Sequence, residues 1–169
     1  MNLTPSVQET VLAALKAKVA PHVPYVFDYL YYFAGREDFA AVAGVDYVKN
    51  ETEAKFAQIF FKTFRDNTTQ PTCDDPTTFL EYRLVVFYEY KAIRKAVSPS
   101  PNTTNSRQEF VAAIINLREA FNFNQIITAG VAQHTSLVVV QDIINNEESK
   151  YIKDVKGDYI EFSIIVEVT

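Results

Sequence analysis

FLEYRLVVFYEYKAIR, residues 79–94, decides the fold. Its side chains divide with period two. Tyr82, Leu84, Val86, Tyr88, Tyr90 and Ala92 fall on one face, and Glu81, Arg83, Val85, Phe87, Glu89 and Lys91 on the other. Alternate residues of a strand point to opposite sides of the sheet, so this is a long strand with one apolar and one mixed face. Opposite charges along the mixed face are placed to pair across strands.

Working outward, the C-terminal run YIEFSIIVEV, residues 159–168, alternates equally well. Ile160, Phe162, Ile164, Val166 and Val168 share a face opposite Glu161, Ser163 and Glu167. SLVVVQDII, residues 136–144, is an apolar strand, after which NNEES predicts a turn. Gly157-Asp158 predicts a second bend. Between the strands, Ser106 and Glu109 form a capping box that starts a helix running to about residue 123, with Phe110, Ile114, Leu117 and Phe121 as its stripe. On the N-terminal side, residues 54–65 fit helix or strand, and their aromatic content favours strand. VPYVFDYLYYF, residues 23–33, predicts an aromatic strand broken by Asp28. Residues 5–20 form a helix with Val7, Val11, Leu15 and Val19 on one stripe, stopped by Pro21 and Pro24. REDFAAVAGV, residues 36–45, fits a short helix ending near Gly44. Residues 66–78 and 96–105 are polar loops. The expected fold is a single α+β domain over residues 1–169, with two principal helices packed on one face of a mainly antiparallel sheet.

Composition excludes several classes of function. Sixteen basic and twenty-one acidic residues give a net charge of -5, which provides no drive for phosphate-backbone binding. One cysteine rules out an internal disulfide and a cysteine-rich zinc site. His22 and His134, the only histidines, lack metal-ligand spacing. Four glycines and no GxGxxG or GxxxxGK[ST] string argue against the common nucleotide-binding loops. Cys73 sits beside Asp74 and Asp75, whose charge disfavours a reactive thiolate. Those two carboxylates lack the ordered ligand series of an EF-hand. No apolar run is long enough for a transmembrane helix, and the opening MNLTPSVQET has no basic region followed by an apolar stretch, so no secretory signal is expected. No catalytic residue, cofactor or metal is expected. Thirteen Phe and ten Tyr without any Trp are the distinctive feature, and Tyr-rich surfaces are enriched at protein interfaces.

The order of these segments resembles the tail terminator proteins of long-tailed bacteriophages. VQETVLAALKAKVA leads into an aromatic strand, and a polar loop precedes LEYRLVVFYEYKAIR. SRQEFVAAIINLREAF follows, and a charged segment enters GDYIEFSIIVEVT. Residues 34–55 depart from the pattern as an insertion. The resemblance implies a non-enzymatic virion protein, made in the host cytoplasm, that forms a homomeric ring, a hexamer in that family. Such a ring caps the tail tube, meets a connector or stopper protein, and lets DNA pass without specific binding. It has no membrane partner. Under this reading Tyr25, Tyr29, Tyr31, Arg83, Phe87 and Glu89 are expected at subunit contacts. Asp74, Asp75, Glu147, Glu148 and Lys153 are expected to meet the tube or connector.

Two other functions fit the same residues. One is a different neck adapter or head-completion protein. The other is a small-ligand enzyme or binding protein on a cone-like α+β fold, with Tyr25, Tyr29, Tyr82 and Tyr88 lining a pocket.

Overall fold

A computed structural model describes residues 5–46, 53–66, 78–89, 102–121, 132–148 and 150–168. Strand β3 (Thr78–Glu89) lies at the centre of a five-stranded sheet ordered β1-β2-β3-β5-β4. Its neighbours are β2 (Lys55–Asp66) and β5 (Lys156–Val168), both antiparallel to it. β4 (Ala132–Glu148) pairs antiparallel with β5, and β1 (Tyr25–Phe27) adds a short parallel edge to β2. With helices α1 (Pro5–Val19), α2 (Arg36–Ala43) and α3 (Asn102–Phe121), this is an α+β fold on a mostly antiparallel sheet.

The alternation of β3 sorts two cores. Leu80, Tyr82, Leu84, Val86 and Tyr88 join Ile160, Phe162, Ile164 and Val166 of β5 in the larger one. Val11, Leu15 and Val19 of α1 and Phe110, Ile114, Leu117 and Phe121 of α3 belong to the same core. The helix positions recur at helical spacing, which is why a stripe read from sequence becomes a buried seam. Lys18 ties the two helices: its ammonium donates to the Ala120 carbonyl at 3.4 Å and lies 5.5 Å from the Phe121 ring centre.

The opposite face carries a second, aromatic core. Phe56 of β2, Val85 and Phe87 of β3 and Tyr159 of β5 meet Phe27, Phe33, Phe39, Tyr151 and Ile152. Phe39 comes from α2, so residues 34–55, expected as an insertion, include a helix that closes this core. Glu37 and Asp38 in its first turn suit the helix dipole. Gly44 ends it at φ 71°, and the Val45 amide reaches back to the Ala40 carbonyl at 2.9 Å, a left-handed cap that glycine adopts without a Cβ penalty. Glu89 fixes the helix start. It pairs with Arg36, accepts from the Ala54 amide at 2.9 Å, and is almost fully buried.

Four sequence expectations need correction. The strand expected over 23–33 stops at Phe27, because the backbone beyond it bonds to a side chain and to the β4–β5 connection. NNEES does not turn: β4 continues to Glu148, and Glu147 and Glu148 pair with Gly157 and Lys156. Gly157 is not a bend but lies within β5. A Cβ there would overlap the Tyr88 carbonyl oxygen and stand 2.7 Å from the Phe87 ring, so the sheet needs glycine for close approach rather than for turning. Helix α3 begins at Asn102, four residues before the expected Ser106 cap. Asn, Thr and Ser cost only a few tenths of a kcal/mol each inside a helix, up to about 0.7, so their propensity does not bar one extra turn.

Candidate interaction surface

After β1 the chain crosses the aromatic core as a strap, residues 28–35. Gln58, fully buried on β2, holds its middle with two hydrogen bonds. The Tyr31 amide donates to Gln58 Oε1 at 3.1 Å, and Gln58 Nε2 donates to the Tyr31 carbonyl at 2.8 Å. Two residues on, the Phe33 amide donates to the Tyr151 carbonyl at 2.7 Å, and the Lys153 amide donates to the Phe33 carbonyl at 3.1 Å. Asp38 accepts from the Ala34 amide at 3.0 Å and from the Tyr31 hydroxyl at 3.4 Å. Phe33 turns inward onto Phe39 and Phe56. Tyr29, Leu30 and Tyr32 turn outward, and Tyr32 is 64% exposed while stacking on Tyr151 at 6.3 Å. The strap is therefore a rigid presentation of aromatic surface.

Beside it on the same face lies a charged shelf. β2 and β3 shift register between Phe61 and Thr63, so Lys62 is an extra residue opposite Glu81. Such a bulge re-aims a side chain, and Lys62 reaches Glu81 at 3.2 Å. Ser163 donates to the same carboxylate at 2.7 Å. Arg83 stands between Glu81 at 4.0 Å and Glu161 at 3.9 Å. Glu161 accepts from Lys150 at 2.5 Å and from the Tyr151 hydroxyl at 2.6 Å. Burial alone would raise the Glu161 pKa, but those donors and the Arg83 charge outweigh it and hold the carboxyl below its ordinary range. Burial first, then the bond to Glu161, pushes Tyr151 well above an ordinary phenol. Each carboxylate is matched by cations and hydroxyls, an arrangement that orients polar surface rather than activating a group. Among the described residues no cluster of His, Cys, Asp and Glu could hold a metal ion.

A second apolar surface lies across the sheet. The outer side of α3 exposes Val111 and Ile115, and with Arg107, Gln108 and Ala112 they line a shallow groove. This surface follows from the width of the α3 stripe. Phe110, Ile114, Leu117 and Phe121 face the core, while Val111 and Ile115, which widen the stripe in sequence, are left outside.

The expected contact residues separate into distinct places. Tyr29 is on the outer side of the strap. Tyr31 is half-buried in it, and Tyr25 packs edge-on against Phe39 at 5.5 Å. Arg83 belongs to the charged shelf. Phe87 and Glu89 are enclosed within the subunit by Phe56, Arg36 and Ala54, so the expectation of a subunit contact there is corrected. Phe87 points into the face that α2 and the strap cover, which an alternation pattern cannot reveal. Lys153 lines a polar groove with Ala34, Gly35, Arg36, Glu37 and Asp38. Glu147 and Glu148 end β4, and Asp74, Asp75 and Cys73 lie outside the described residues. The pocket expected between Tyr25, Tyr29, Tyr82 and Tyr88 does not form. Tyr82 and Tyr88 are buried in the α1–α3 core, across the sheet from Tyr25 and Tyr29. Sequence reasoning missed Leu30 and Tyr32 as outward positions, Gln58 as the clamp, and the Val111–Ile115 groove. A glutamine, Gln58, standing between Ala57 and Ile59 in the apolar run FAQIFF was the available signal for the clamp. Among the described residues no helix is long and apolar enough to cross a membrane. No protein-family model matches the chain, and no curated protein matches its sequence.

Proposed function

We propose that this chain is a structural subunit of a homomeric ring at the neck of a long-tailed bacteriophage, a tail terminator. Its ring, six subunits in the family it resembles, caps the tail tube and joins it to the head–tail connector. The observation that carries the reading is the rigid outward display of Tyr29, Leu30 and Tyr32 on one face of the sheet, with Val111 and Ile115 exposed on the other. A subunit with two separate adhesive surfaces makes head-to-tail contacts, and such contacts close into rings when the rotation permits.

The sheet edge supports the same reading. Among the described residues no strand pairs with the outer side of β4, which is 17 residues long. Its register against β5 slips at four places. Irregular ladders of this kind blunt an edge against indiscriminate pairing, and a neighbouring subunit covers the rest. Apart from α2, which lies in the segment that departs from the pattern, the element order of helix, short strand, long strand pair, helix and final strand pair follows the resembled one. A net charge of -5 suits a passage through which DNA must slide without being held.

The test is a tube-capping assay. Purified protein is mixed with isolated phage tail tubes and examined by negative-stain electron microscopy. A ring at one tube end supports the assignment. Rings that bind isolated connectors and ignore tube ends would move the protein to another neck position.

A further inference from the structure

We propose that Tyr151, Tyr159 and Glu161 form a recognition site for a primary ammonium group, and that Lys150 is its resident, exchangeable occupant. The site needs only one subunit and does not depend on the ring reading. The Tyr151 and Tyr159 rings meet nearly at a right angle, 83°, with centres 5.7 Å apart. The Lys150 ammonium lies in that corner, 5.4 Å from the Tyr151 ring centre and 5.3 Å from that of Tyr159. It donates to Glu161 Oε1 at 2.5 Å. Two rings and a carboxylate around one cation are the parts of an aromatic cage.

The cage is held by contacts other than Lys150. The Tyr151 hydroxyl donates to Glu161 Oε1 at 2.6 Å, and Arg83 stands 3.9 Å from Oε2. Tyr32 stacks on Tyr151, whose carbonyl accepts from the Phe33 amide at 2.7 Å. Tyr159 is fixed within β5, in register with Phe87 of β3. Walls and floor therefore stay in place when the lysine withdraws. What fills the corner is one long side chain, itself half exposed. Among the described residues Lys18 and Lys55 each lie over a single ring, and Lys55 is enclosed between Glu53 and Glu109 at 18% exposure. The carboxylate sets the ligand class. A primary ammonium donates to Glu161 while lying against both rings, whereas a quaternary ammonium has no N–H to donate. The ligand is a lysine-like head group, and one that enters restores the charge balance that Lys150 leaves. Lys150 is tethered beside the cage, so it competes at high effective concentration and an outside cation binds the parent chain weakly.

Chemical rescue on the full chain tests the site. Lys150→Ala empties the cage, propylammonium chloride is the probe, and Tm is read by circular dichroism. The expected result is a saturable rise, half-complete at about 10–100 mM. At about three times that concentration the shift should be about 2–3 °C. Propan-1-ol and sodium chloride of equal ionic strength should give no saturable rise, and tetramethylammonium should bind about threefold more weakly. In the parent chain half-saturation should move up about tenfold, since Lys150 competes. Lys150→Met, which fills the corner with an uncharged chain, should lose the response, as should Lys150→Ala/Glu161→Gln. If Lys150→Ala is unfolded without the probe, recovery of its circular dichroism with propylammonium, and not with propan-1-ol, is the same result. A folded Lys150→Ala that propylammonium does not stabilise overturns the proposal. So does an equal response from the parent chain or from propan-1-ol. Tetramethylammonium binding as tightly as propylammonium overturns the assignment to a primary ammonium.

Discussion

Replacing Gln58 by leucine removes the clamp on the strap while nearly keeping side-chain volume. Two hydrogen bonds to the Tyr31 backbone are lost, at 3.1 and 2.8 Å. At about 1 kcal/mol net for each, the expected loss is about 2 kcal/mol. In a domain of this size that lowers Tm by about 4–8 °C. The bonds are only partly buried, so water recovers some of the Tyr31 amide and carbonyl, which keeps the loss near this value rather than above it. A second effect is local. The strap holds Tyr29, Leu30 and Tyr32, all cleavable by chymotrypsin, and release of its midpoint should make it the first site cut. Association should weaken as well, since each residue that must order on docking costs about 1 kcal/mol. Urea denaturation followed by circular dichroism gives the stability, and timed proteolysis with mass spectrometry gives the cut site. An unchanged midpoint together with an unchanged cleavage pattern would refute the view that Gln58 fixes the strap.

Further outcomes follow from other contacts. Gly157→Ala forces a methyl into the Tyr88 carbonyl oxygen, a backbone atom, and should cost about 2–3 kcal/mol in thermal or urea unfolding; a neutral result would mean β3 and β5 are not so closely apposed. Arg36→Ala leaves the buried Glu89 carboxylate with the Ala54 amide but without its guanidinium, and should destabilise by about 3 kcal/mol, whereas Glu89→Gln, which keeps an acceptor for that amide, should cost less. Equal costs would show that leaving the Glu89 carboxylate without its guanidinium carries no extra penalty. Burial pushes Tyr82 up to about 12 and also raises Tyr88 and Tyr151. A phenol whose folded pKa exceeds its unfolded value stabilises the fold fully below pH 10 and loses that contribution as pH rises through the folded value. These three of the ten tyrosines should therefore add phenolate absorbance only as the circular dichroism signal is lost. Titration of all ten with the fold intact would contradict their burial.

What could be read from the chain alone was whatever depends on period. The alternation of 79–89 placed β3 and both its faces, and the helical spacing of Val11, Leu15 and Val19 placed the seam of α1. The end of β1 was not legible, because the run from Tyr29 to Phe33 has β-like propensity and the deciding partner, Gln58, is 27 residues away from Tyr31. Asp28, just ahead of that run, was the one residue that hinted at a break. Gly157-Asp158 has the local signature of a turn, and only the crossing of β3 explains why glycine stands there. The bulge at Lys62 escaped the alternation analysis for a related reason: a single extra residue reverses the phase of everything after it. For the surface, tyrosine enrichment pointed to the segment that carries the exposed Tyr29 and Tyr32. It could not say that Tyr29 and Tyr32 face out while Phe33 faces in, since that depends on backbone bonds to Tyr151 and Lys153.

The central claim is that two different surfaces of one subunit join in a closed ring. Native mass spectrometry of the purified protein over a hundredfold range of concentration tests it directly. Head-to-tail closure predicts one dominant stoichiometry, about 115 kDa for six chains of 19.2 kDa, with no larger species as concentration rises. A dimer that persists across the range, or a monomer throughout, would contradict it.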